Sequence, residues 1–434
     1  MCSTKPYYND SSVKILQEYI RIDTSKEKNI ERAVNFWKNQ ADSLGLPFAV
    51  YRPSGKPICV ITLRGRKSKL PSIILNSHMD VVPAAEQNWT YPPFSAHIDD
   101  RGKMFGRGTQ DTKTLGITYL EAVKTLMKSG IKLRRTIHLL FMPDEESGGL
   151  NGMIPFIETK AFKDLNPGFF FDEGMASPDD TVYVLYQDKR HWQINLTLYG
   201  DGGHASTLPK RTAVEKLRRL LDITSEFRDQ QIQIKLSNDP TDYGSYTSIN
   251  VDIIRGGIVA NVIPSQITVV IDMRLAISAQ ICEVEAMIQK WISEVGNDTN
   301  LSFIAKVDVA KPTRLDATNP YWVAVEDALK DKGIKVLPIV FPAASDMVSI
   351  RNRGFPAIGL AYLPRTELLF HDRDEYVQVK TFLKGIQVYT HILQKTVSRW
   401  AADESDSVTV VPSRCVGGTE GLSGYASHPE ENPT

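Results

Sequence analysis

Hydrophobic residues recur at helical spacing twice near the start of the chain. Val13, Leu16, Tyr19 and Ile20 follow Ser11 or Ser12 as cap, and Ile30, Ala33, Phe36, Trp37, Ala41 and Leu44 end at Gly45. Strand-like runs then take over at 58–63 and 73–75, and a further helix carries Tyr119, Leu120, Val123, Leu126 and Met127. The segments 136–142 and 168–171 are almost wholly apolar, as strands covered on both faces are. Apolar strands alternating with helices predict an α/β sheet flanked by helices.

At Trp192 the pattern changes to strict alternation, with Trp192, Ile194, Leu196 and Leu198 set against Gln193, Asn195 and Thr197. That predicts a strand with one face in solvent. A helix near 212–230, strands near 246–254 and 266–274, a helix near 279–295 and a strand near 301–307 complete a β-α-β-β-α-β order. This order fits an inserted α+β domain of the split-βαβ, ferredoxin-like kind. The α/β pattern resumes from about Val309, with a helix at 322–332, strands at 336–341 and 357–362, and a closing helix bearing Phe382, Ile386, Val388 and Ile392. The expected organisation is a discontinuous catalytic domain over 1–187 and 309–401, an insert over 188–308, and a tail over 402–434 whose Ser, Gly, Pro and Glu content reads as disorder.

Composition adds mostly exclusions. With 42% hydrophobic and 24% charged residues, and 51 basic against 51 acidic side chains, the chain is of globular type and has no net charge. No basic cluster points to nucleic acid or an anionic membrane. Neither a signal-like apolar run at the N-terminus nor a stretch of ~20 apolar residues is present, so a soluble, cytoplasmic protein is expected. Cys2, Cys59, Cys282 and Cys415 are scattered, which suggests reduced thiols and no cysteine zinc site.

The candidate chemistry lies just past the strands. The run Ile73-Ile74-Leu75 leads into Ser77-His78-Met79-Asp80, where a carboxylate two residues from a histidine can orient its ring and leave the other nitrogen for a metal. Asp111 follows Gly106-Arg107-Gly108 in a turn before a helix, where backbone N–H groups can hold it. Glu145 and Glu146 follow the 136–142 strand, Asp172 ends the next, and His371 opens His371-Asp372-Arg373-Asp374-Glu375. Singly, each has an ordinary explanation: a helix cap, a solvated loop charge, a turn brace or a surface histidine. Together, two histidines and three carboxylates form a mixed N/O ligand set suited to zinc or cobalt, sufficient for two ions if one carboxylate bridges.

These segments, with Phe171-Asp172-Glu173-Gly174, Gly203-His204-Ala205-Ser206 and Asn261-Val262-Ile263-Pro264, resemble the M20 family of co-catalytic zinc aminoacylases and peptidases, and within it the aminoacylases. The resemblance runs in unbroken order from about residue 10 to residue 398. It implies two Zn2+ per subunit, with Co2+ as a substitute, bridged by Asp111. His78 and Asp172 would hold one ion, Glu146 and His371 the other. Glu145 would be the general base, with Asp80 orienting His78. His204 would stabilise the oxyanion across a homodimer interface, and Asn261 and Arg274 would hold the substrate's α-carboxylate. The implied reaction is hydrolysis of N-acyl-L-amino acids, mainly neutral ones; dipeptidase or carboxypeptidase activity and a silent binding homologue are the alternatives. A cis Asp111–Thr112 peptide is also implied. Met347-Val348 stand where close aminoacylase relatives are expected to be polar, so the resemblance carries the metal chemistry but not the substrate preference.

Overall fold

The structure, a computed structural model, describes residues 9–307 and 311–398. The expected tail and the second boundary near Val309 lie outside these residues. In chain order the first elements are α1 (Ser11–Ile20), α2 (Ile30–Leu44), β1 (Phe48–Tyr51), β2 (Ile58–Leu63), β3 (Ser72–His78), α3 (Lys113–Lys128), β4 (Ile137–Met142), β5 (Pro167–Asp172) and β6 (Val182–Asp188). There follow β7 (Arg190–Tyr199), α4 (Ala213–Ser237), β8 (Ser248–Gly256), β9 (Gln266–Leu275), α5 (Ile281–Val295) and β10 (Thr299–Lys306). The chain then adds α6 (Pro320–Asp331), β11 (Val336–Phe341), α7 (Met347–Asn352), β12 (Ala357–Leu360) and α8 (Val379–Ser398).

These elements form two compact units. The first takes the described residues through Lys189, Thr241–Gly244 and those from 311 onward; the second takes Arg190–Pro240 and residues 245–307. The first unit is an eight-stranded mixed sheet in the order β1-β2-β4-β3-β5-β12-β6-β11. Its centre is parallel, β4 with β3, β3 with β5 and β5 with β12. Such strands are covered on both faces. On one face α1, α2, α3, α6 and α8 build a core around Trp37, Tyr119, Phe141 and Tyr389. On the other, Met153, Phe156, Phe162 and α7 pack against Ile74, Leu140 and Phe170. This matches the fold expected from the alternating pattern.

Local differences have local reasons. Helix α1 is capped by Asp10, whose carboxylate accepts from the N–H groups of Ser12 and Val13, rather than by a serine. Gly45 ends α2 at φ 64°, as its position predicts. Met347 and Val348 begin α7 and are buried, Met347 within the second core cluster, so their apolar character is explained by packing.

The second unit is a four-stranded antiparallel sheet in the order β8-β9-β7-β10, with α4 and α5 covering one face. The split-βαβ order is thus observed. Thr212 closes a capping box with Glu215 at the start of α4. Strand β8 lies at the sheet edge and leaves Ile253 and Ile254 exposed.

Candidate metal centre

Parallel pairing brings the strand ends into line. His78 is opposite Met142 and Leu75 is opposite Phe171. His78, the 143–149 loop and the Asp172-Glu173 pair therefore emerge at one edge, where open α/β sheets carry their sites.

The His78 ring is buried, and its Nδ1 lies 2.8 Å from the backbone carbonyl of Asp80. A carbonyl only accepts, so Nδ1 carries a proton and Nε2 faces the site. There Nε2 is 2.8 Å from Asp111 Oδ1 and 3.9 Å from Glu145 Oε2. The orienting group is thus Asp80's backbone rather than its carboxylate, which stands 3.7 Å from Nδ1. That carboxylate instead accepts from the N–H groups of Glu145 (3.3 Å) and Glu146 (3.1 Å) and fixes the turn carrying them. The turn is a short 3₁₀ helix, Glu145–Ser147, between Asp144 at φ 70° and Gly148 at φ 85°. At about three residues per turn the two glutamates diverge.

Asp111 precedes α3 through a cis Asp111–Thr112 peptide, as expected. Its two oxygens face different histidines, Oδ1 toward His78 and Oδ2 toward His371 at 3.3 Å. His371, half-exposed and at φ 60°, also places Nε2 2.9 Å from Glu146 Oε2. The loop amides expected to hold Asp111 are taken by Glu375, which sequence reasoning missed. Asp172 stands at the same strand edge, its Oδ1 accepting from Asn76 (3.0 Å) and from the N–H of Glu173 (2.8 Å). Asn76 also donates to Asp346 at 3.2 Å, a second buried carboxylate outside the sequence-derived set.

The site is rich in negative charge. Burial, then repulsion from Glu146, Asp346 and Asp111, pushes the Glu145 carboxyl well above its usual range despite His78. Burial raises Asp172 to about 6, and burial with the charge of Asp172 raises Asp346 to about 8. Glu173 is also pushed well above its usual range, by burial and then by the charges of Glu145 and Asp111. Asp111 moves the other way, since hydrogen bonds from His371 and His78 outweigh its burial. Hydrogen bonds to Asp111 and Glu146 lift His371 to about 10.

The donor set fits a metal ion. Ligand atoms of His78, Asp111 and Glu146 lie within 4.8 Å of one another. Glu146 Oε1 and Asp172 Oδ2 are buried with no hydrogen-bond partner. Buried acceptors without donors are costly in a folded protein, and a cation satisfies them. A cleft bordered by Thr24, Lys56, Asp80 and Glu146 leads to this edge of the first unit.

The remaining sequence-derived residues lie in the second unit. His204 pairs with Val262 in a short two-stranded ladder, and Ala205 N–H donates to the Asn261 carbonyl at 3.0 Å. His204 Nδ1 accepts from the N–H of Ser206 at 3.2 Å, which leaves Nε2 as the protonated nitrogen of the neutral ring. Arg274, near the end of β9, is braced by Asp272 through Nε (2.8 Å) and Nη2 (3.2 Å). Asp272 is in turn held by His191 and Gln193.

Comparison with known proteins agrees with this architecture. The sequence model of Peptidase family M20/M25/M40 matches residues 74–395. The chain is 37% identical over 400 residues to aminoacylase-1B of Rattus norvegicus and to aminoacylase-1 of Homo sapiens, in each case covering 92% of this chain and 98% of the relative. Among solved structures, an M20 family metallo-carboxypeptidase from Sulfolobus solfataricus superposes with a TM-score of 0.73 at 18% identity, covering 89% of this chain and 99% of that one. Human carnosine dipeptidase 1 does so with a TM-score of 0.70 at 14% identity, covering 89% and 97%. About three-quarters of the chain and every strand-end motif fall inside the family match, so the chain belongs to peptidase family M20/M25/M40, a family of hydrolytic enzymes, as a homologue of aminoacylase-1.

Proposed function

We propose that this protein hydrolyses N-acyl-L-amino acids, mainly neutral ones, to a carboxylate and a free amino acid. The observation carrying this reading is the Asp111 carboxylate, whose two oxygens face His78 and His371 beside the unpartnered oxygens of Glu146 and Asp172. Its support in sequence is the near full-length likeness to aminoacylase-1.

Asp111 would be shared between two zinc ions, with Co2+ as a substitute; Glu146 and His371 would serve one and His78 the other. Two adjacent carboxylates compete to join His78. Asp172 offers a buried free oxygen, whereas Glu173 stands in the field of Glu145, Asp111 and His78. Zinc content of Asp172→Asn and Glu173→Gln decides between them. When bound, the metal pair supplies Lewis acidity toward the scissile carbonyl and acidifies a water. Glu145, 3.9 Å from His78 Nε2, would take a proton from the attacking water and deliver it to the departing amine nitrogen. The Nε2–H of His204 donates to the developing oxyanion, and Arg274 with Asn261 holds the α-carboxylate.

We further propose a cytoplasmic homodimer in which His204 acts in trans. No described helix is long and apolar enough to cross a membrane. The second unit exposes Ile253 and Ile254 on its edge strand, and Val259 and Val262 in the segment that follows, apolar side chains of the kind a second copy can cover. Incubation of purified protein with zinc and N-acetyl-L-methionine should release free amine. Brisk cleavage of dipeptides without such release would overturn the aminoacylase reading in favour of a dipeptidase.

A further inference from the structure

The loops bearing Asp111 and His371 meet through residues far apart in sequence. Glu375 is completely buried, and its carboxylate accepts from the N–H groups of Gln110 (2.6 Å), Gly108 (3.1 Å) and Asp111 (3.3 Å). Gly108, at φ +90°, holds a conformation that side chains rarely adopt, and a Cβ there would lie 3.0 Å from both Val81 and Lys113. The Thr109 hydroxyl adds a longer bond of 3.5 Å, and the charged partner of Glu375 is Arg107, buried 268 positions away in sequence, whose Nη1 donates at 2.8 Å.

Arg107 does not end there. Nη1 also reaches the backbone carbonyl of Asp372 at 3.1 Å, and Nη2 that of His371 at 3.2 Å. Gln110 adds three bonds of the same kind, from Nε2 to the carbonyls of Glu367 and Tyr376 and from Leu369 N–H to its Oε1. One ion pair therefore grips the backbone on both sides of the contact between Asp111 Oδ2 and His371 Nε2. A buried ion pair is weak as a source of stability, and its best-attested use is to specify one arrangement over others.

We propose that Arg107 and Glu375 form a positioning clasp, which sets the separation of the bridging Asp111 from His371 and thereby the affinity and geometry of the metal pair. The proposal rests on the dizinc reading above. Neither residue touches substrate or the reacting atoms; both act through the two ligands. The planar guanidinium fork is required because one side chain must meet a carboxylate and two carbonyls at once, which a lysine ammonium at a single point cannot reproduce.

The test uses metal-free full-length protein titrated with zinc against a chromophoric chelator, and the visible absorption of the Co2+ form. Glu375→Gln and Arg107→Lys should each weaken binding of one or both ions by roughly 10- to 100-fold and alter the Co2+ bands. A purely structural pair would lower the unfolding midpoint yet leave folded protein with wild-type zinc affinity and Co2+ spectrum, and that result overturns the clasp. Should Glu375→Gln fail to fold, Arg107→Lys, which keeps a cation beside Glu375, decides. Wild-type protein that binds no zinc would bring down the metal reading and the clasp with it, an outcome distinct from variants that match wild type.

Discussion

Replacing Glu145 by Gln should make the enzyme nearly inactive and its metal-free form more stable. The carboxylate lies 3.9 Å from His78 Nε2, and its pKa is raised well above the ordinary value of 4.5, by burial and then by Glu146, Asp346 and Asp111. As general base it is worth roughly 10²- to 10⁴-fold in rate, or about 2.7–5.5 kcal/mol of barrier. The stability effect has the opposite sign. Below pH 4.5 the carboxyl is protonated in both the folded and unfolded states and contributes no difference. Above it the unfolded chain ionises while the folded protein retains the proton, so stability falls as pH rises toward the folded value. Glutamine has no such penalty, and the midpoint of metal-free Glu145→Gln should exceed that of the wild type near neutrality, the gap closing on acidification. Release of amine from N-acetyl-L-methionine reads the first effect, and thermal unfolding of chelator-treated protein across pH reads the second. Zinc stoichiometry should be unchanged. Activity within tenfold of wild type, or a lower metal-free midpoint at neutral pH, refutes the assignment.

Exhaustive chelation should abolish turnover, and two equivalents of Zn2+ per chain should restore it; full recovery with one equivalent would contradict the shared Asp111. His371 is raised to about 10 by Asp111 and Glu146, so its stabilising contribution is complete below about pH 6.5 and is lost as pH rises through about 10. The metal-free unfolding midpoint should therefore fall over that range, and fall less in His371→Gln. Arg274→Ala should raise KM by roughly 10- to 100-fold, the loss expected for a charge-assisted hydrogen bond to substrate; an unchanged KM removes Arg274 from the carboxylate site. If His204 acts in trans, mixing inactive Glu145→Gln and His204→Ala chains should restore about a quarter of wild-type activity, because hybrid dimers regain one intact site of two. No recovery, despite exchange of chains detected by mass spectrometry, places both residues' roles within one chain.

What was legible in the sequence follows the range over which the governing interactions act. His78 and Glu146 could be placed because an apolar strand ends just before each, and parallel pairing of Ser72–His78 with Ile137–Met142 then aligns the two ends without further information. The insert was legible for the same reason, since alternation along Arg190–Tyr199 is set within one strand. The strand Val182–Asp188 is not among the expected elements: alternation does not single it out, and only its β-branched and aromatic composition signals it. Asp80 lay in plain view, yet its carboxylate and its backbone exchange the roles that spacing suggests. Two residues of separation fix only which side of the chain the group faces, whereas its partners are the amides of Glu145 and Glu146, 65 and 66 positions on. Glu375 and Arg107 are the extreme case. Each reads as an ordinary loop charge until the fold buries them together, and a buried charge acquires meaning only from partners that sequence order does not supply. The ligands of this centre are therefore local signals at strand ends, whereas the groups that hold them in place are products of the tertiary fold, and the clasp titration tests whether that second set controls the first.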